Sequence, residues 1–121
     1  MTSVADLHDQ AMDLADQAFF VLREGHVDRA KELHHQALNL ELQAADQLRE
    51  DLSAEPTRSI LFRSASSLAI EVGDFPLADR LAITGLAGNP PPELSDDLHD
   101  LLTESGFQKK LLQQKVALQP G

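Results

Sequence analysis

From the start of the chain, apolar residues recur at Val4, Leu7, Ala11, Leu14, Ala18 and Val21 in alternating steps of three and four. After Gly25 the same spacing resumes at Ala30, Leu33, Ala37, Leu40, Ala44, Leu48 and Leu52, with no proline or glycine between them. Steps of three and four trace one face of a helix, whereas a strand alternates every second residue, so the first half of the chain is restricted to two amphipathic helices. Ser3 followed by Asp6 reads as a capping pair, and Gly25 supplies the left-handed residue that commonly ends a helix. The first helix is therefore expected from Val4 to Glu24 and a long second one after it. The connection at Gly25 and His26 is so short that the two must pack antiparallel as a hairpin.

The second half repeats this plan. Ser53, Glu55 and Pro56 mark a helix start, since a first-turn proline lacks only an N–H that has no partner there. Leu61, Ala65, Leu68 and Val72 form the next buried stripe, helped by Phe62 and Ala69, and Gly73 stops it. Asp74 caps a fourth helix with Pro76 in its first turn, and Phe75, Ala78, Leu81, Ala82 and Leu86 face inward until Gly88, Asn89 and Pro90 to Pro92 break the chain. Glu93 to Ser105 predicts a shorter capping helix with Leu94, Leu98, Leu101 and Leu102 on one side. Beyond Gly106, residues Phe107, Leu111, Leu112, Val116 and Leu118 predict a sixth, basic helix. The expectation is an all-α domain over residues 1–106, with a basic amphipathic tail or extra helix over 107–121.

Charge narrows the function classes. The formal charge of −10 repels nucleic acid and anionic membrane surfaces alike. Residues 1–106 carry a net −13, while residues 107–121 hold Lys109, Lys110 and Lys115 with no acid, a net +3, so the tail is a separate electrostatic object. Without cysteine there is no disulfide framework, thiolate chemistry or sulfur-held zinc. The start lacks a basic region followed by an apolar run, and no apolar stretch approaches a membrane span, so a cytoplasmic protein is expected.

Aligning the two glycine turns exposes an internal repeat: Gly25, Ala30, Ala37 and Leu38 match Gly73, Ala78, Gly85 and Leu86 at identical spacing, with Asn89 and Pro90 closing the second copy. Small residues at these places let paired helices approach closely. The pattern resembles the second half of a tetratricopeptide repeat. The first halves match less fully, with Leu14 and Phe62 at the aromatic position and Ala18 and Ser66 at the small one. The units lie 48 residues apart. Regular repeats recur about every 34, and the excess is about four helical turns. The fold implied is a set of antiparallel hairpins in a tetratricopeptide-like α–α superhelix of five to six helices. The segment EPTRSILFRSASSLAIEVGDF is similar to small bacterial proteins of this type.

The resemblance implies a concave surface that grips a peptide or helix of a partner, presenting Met12, Ala15, Phe19, Leu22 and Arg23 from the first helix, and Arg63, Ser67, Ile70 and Glu71 from the third. Phe19 and Phe20 are adjacent and cannot both enter one narrow seam, so one of them faces this surface, a fifth helix or a dimer partner. Arg58 and Arg63 either hold a partner's carboxylate by forked hydrogen bonds or pair with nearby acids such as Glu55 and Glu71. Glu32 with His35 has the Glu-x-x-His spacing of di-iron bundles, and Asp96 with His99 is a looser copy. Adjacent His34 and His35 point roughly 100 degrees apart, and the acids lie opposite the leucine stripes, so no metal set is assembled. Asp9, Asp13 and Asp16 read as a solvated face, and no nucleophile motif, phosphate loop or cofactor signature is present.

The expected function is a noncatalytic interaction module for a protein or peptide partner, with self-association as a dimer covering its open ends. The alternatives are a metal-dependent bundle enzyme using Glu32, His35 and His99, or a regulatory subunit that contacts a larger enzyme through its basic tail.

Overall fold

The computed structural model of the protein describes residues 2–118. Five helices follow one another: α1 (Val4–Arg23), α2 (Val27–Leu48), α3 (Thr57–Glu71), α4 (Phe75–Leu86) and α5 (Pro92–Leu118), with one 3-10 turn at Leu52–Ala54. Among the described residues there is no strand, and no helix is long and apolar enough to cross a membrane.

The helix ends follow the sequence signals. The Ser3 hydroxyl accepts the Asp6 N–H at 3.1 Å, and the Asp74 carboxylate accepts that of Leu77 at the same distance. Gly25 and Gly73 have φ of 90° and 83°, where a side chain would be strained. Each closes its helix in the same way: His26 N–H reaches Val21 O and Gly25 N–H reaches Leu22 O, while Asp74 and Gly73 repeat these bonds to Ala69 and Ile70. The last carbonyls of α1 and α3 are thus satisfied as the chain reverses.

Polar contacts fix the packing directions. His8 of α1 meets Glu41 of α2, and Gln47 donates to the Thr2 carbonyl, so α1 and α2 are antiparallel. Arg58 donates to the Arg49 carbonyl while Ser64 reaches Glu41, so α3 reverses against α2. Ser105 donates to the Phe75 carbonyl, and Gly85 lies beside Leu98, so α5 reverses against α4. The two glycine turns therefore share one end of the molecule. The small residues of the repeat lie inside: Ala30, Ala37 and Ala78 are buried, and a Cβ on Gly85 would stand 3.1 Å from Leu98 and 3.2 Å from Phe62. α3 is central. It is buried on several sides at once, by Leu61, Phe62, Ala65, Leu68 and Ala69, and it packs against α2, α4 and α5.

Three expectations are corrected. Leu52, expected on the buried stripe of α2, lies past the end of that helix in the 3-10 turn and is exposed, because the Asp51 carboxylate accepts the Ser53 N–H and starts the turn there. α5 is one helix through Gly106, not a short cap followed by a sixth helix. Ser105 is tied to α4 at Phe75, and Lys109 pairs with Asp79, so both sides of the glycine are held to one neighbour and the helix continues. Residues 119–121 of the expected tail lie outside the described residues. The buried stripe of α2 runs through Ala37, Glu41 and Ala44, leaving Leu40 only half-buried, so a carboxylate stands where a leucine was expected.

Candidate functional site

Three helices contribute to an open groove of ≈ 560 Å³: α1 by Met12 and Ala15, α3 by Arg63, Ser64, Ser67 and Leu68, and α5 by Asp97, Asp100, Leu101 and Glu104. None of its lining residues comes from α2 or α4. Each contribution follows from helical spacing. On α3, Arg63 and Ser67 are four residues apart on a face turned away from the buried Phe62 and Ala69, and on α5 the three carboxylates recur at steps of three and four. Met12, Ala15, Leu68 and Leu101 make the apolar lining, and three carboxylates face one guanidinium around it. Arg63 donates to Asp97 at 3.1 Å, but both side chains are only partly buried, so the pair adds little stability. The groove holds the hydroxyls of Ser64 and Ser67, with no histidine or lysine among its lining residues to activate either.

The structure divides the residues expected at a partner site. Met12, Arg63 and Ser67 line the groove together. Leu22 and Ile70 line a smaller hollow of ≈ 240 Å³ at the turn end, with Val27, Lys31 and His34. Phe19 stands seven residues beyond Met12 on the same face of α1 and is 55% exposed. Its ring meets that of Phe20 edge to face at 5.9 Å, and the Arg23 guanidinium lies 5.7 Å from its centre. Phe20 is also exposed, so α5 covers neither aromatic.

Arg58 lies elsewhere. It is buried at 3% exposure, with its guanidinium 5.0 Å from the Phe62 ring centre. It donates to the carbonyls of Arg49, Thr84 and Gly85 and sits 4.0 Å from Glu55. Glu55 in turn accepts from Ser59 and from the Asn89 N–H. Of the two roles open to Arg58 in the sequence, its geometry follows pairing with Glu55. The arginine fastens the start of α3 to the ends of α2 and α4.

Sequence reasoning missed the group at the centre of the α1–α2–α3 contact. The Glu41 carboxylate is fully buried, 2.8 Å from His8 Nδ1, with the Ser64 hydroxyl nearby. Burial pushes its carboxyl up from the ordinary value, against the hydrogen bond and charge of His8 and the hydroxyl of Ser64. The missed signal is positional: the apolar residues 30, 33, 37, 38, 44 and 45 together centre their helical face near position 41 and leave 40 at its edge. Asp79 behaves differently. Burial raises its carboxyl, but hydrogen bonds from Lys109 and Ser105 and the charge of Lys109 outweigh this and leave it below the ordinary value. Glu32 pairs with Arg29 at 3.2 Å, His35 and His99 are exposed, and no three His, Asp or Glu side chains gather among the described residues. Compared with family models, curated proteins and solved structures, the chain matches none.

Proposed function

We propose that this chain is a noncatalytic, tetratricopeptide-like helical scaffold whose groove holds a helical segment of a protein partner. The observation that carries the reading is the groove itself. It has an apolar floor of Met12, Ala15, Leu68 and Leu101, and a rim on which Asp97, Asp100 and Glu104 outnumber Arg63. Such a surface suits an amphipathic helix that lays its apolar face down and presents lysine or arginine to the rim. Packing of each helix on its chain neighbours, with α1, α3 and α5 supplying the lining, supports the tetratricopeptide-like arrangement.

Selection from a library of helical peptides against the purified protein tests the reading. Ser67 is exposed and lines the groove, so Ser67→Trp fills the space without entering the core. Selected peptides are expected to be basic and amphipathic, and to bind Ser67→Trp at least tenfold more weakly while its circular dichroism is unchanged. Peptides that bind both forms equally would move the site elsewhere.

A further inference from the structure

α5 does not end where the body ends. Ser105 is level with Phe75, the first residue of α4, and 13 more residues, 106–118, continue the helix past it. At 1.5 Å per residue this overhang is about 20 Å long. Beyond Lys109, which is held by Asp79, its described side chains are exposed, including Leu111, Leu112 and Val116, and Phe107 before it is exposed as well.

The helix is polarised in charge. Residues 92–105 carry Glu93, Asp96, Asp97, Asp100 and Glu104 with no lysine or arginine, while residues 106–118 carry Lys109, Lys110 and Lys115 with no acid. Moreover, positions 97, 100, 104, 108, 111 and 115 recur at steps of three and four. The groove wall of α5 and one side of its overhang are therefore a single helical face that changes from acidic to apolar and basic along its length. Two such faces side by side in parallel would set like charges together. Set antiparallel, each acidic half meets a basic half, and the match occurs twice.

We infer that a second copy of this chain occupies the groove, the overhangs of two subunits docking reciprocally about a two-fold axis near Phe107 and Gln108. In this pairing Asp100 faces the partner subunit's Lys115, and Glu104 faces the partner subunit's Leu111. The groove wall from Asp97 to Glu104 spans about 10 Å, so an overhang of about 20 Å is long enough to cover it. The interface is isologous, the same surface on both subunits, as two-fold dimers require. The inference rests on the proposed function in that it names the occupant of the same groove.

The test is the mass in solution of the full chain, 13.3 kDa as a monomer, by sedimentation over a concentration series. Asp100, Glu104, Lys110 and Lys115 are all exposed, so their reversal leaves the core alone. Wild type is expected to be a dimer that weakens with added salt. Lys110→Glu with Lys115→Glu in one chain, or Asp100→Lys with Glu104→Lys in another, is expected to weaken it at least tenfold while circular dichroism is preserved. Mixing the two reversed chains restores a dimer, because each overhang then meets a rim of opposite sign. A wild type that stays monomeric into the millimolar range, a dimer indifferent to both reversals, or a mixture that fails to pair would each overturn the inference. Selected peptides that still bind a monomeric protein through Ser67 would leave the groove's proposed function standing.

Discussion

At the scale of single residues, the interior is fastened by charges as well as by leucine. Glu41 joins three helices through His8 and Ser64, and every buried side-chain nitrogen and oxygen among the described residues has a partner. A carboxylate removed from water is tolerated only when its oxygens are so engaged. Its raised pKa has a direct consequence for stability. The folded state holds the Glu41 proton more tightly than the unfolded chain does, so the contribution is complete below the ordinary 4.5 and is lost as pH rises through the folded value. Asp79 acts in the opposite sense, its contribution being present above the ordinary 3.8 and lost as pH falls through its lowered value. Wild type is therefore expected to lose stability relative to Glu41→Gln as pH rises from below 4.5 toward neutrality. Urea melts of both proteins across that range measure the difference, and parallel pH profiles would contradict it.

At the scale of elements, helix ends were legible where Ser3, Gly25, Gly73 and Asp74 mark them, since these act locally and need no tertiary partner, whereas the end of α2 at Leu48 carries no such stop and was not legible. Glu41 was not legible, because its neighbours His8 and Ser64 are distant in sequence. The groove was legible in part. Met12, Arg63 and Ser67 follow from helical spacing, but Asp97, Asp100 and Glu104 join them only through the docking of α5, which no local signal specifies. Gly106 misled for a related reason. Glycine marks a helix end when it adopts positive φ, as Gly25 and Gly73 do, whereas Gly106 does not. Bonds to α4 on either side of it override its low propensity. A Cβ at Gly106 would meet nothing within 4 Å, so Gly106→Ala is expected to stabilise the protein by about 0.5–1 kcal/mol. Thermal melts would register this as a higher Tm, and a lower Tm would mean that the helix bends there.

For the molecule as a whole, two features set its behaviour: an acidic body that carries a basic extension, and a packing order that follows the chain. Each helix lies against the one before it, and α5 packs mainly on α4 and α3. Few loops therefore have to close over long stretches of sequence before contacts reward them. Chains with this connectivity fold on the scale of roughly milliseconds or faster. Stopped-flow refolding of dilute protein should place its main phase there, and a main phase of seconds would show that the helices do not associate in chain order. Because the α1–α2 hairpin is closed by Gly25 and is not interleaved with later segments, it can assemble while the ribosome is still adding α3. The exposed arm of α5 follows α1 to α4 in the chain, so any contact made through it comes only after the helices of the body have emerged.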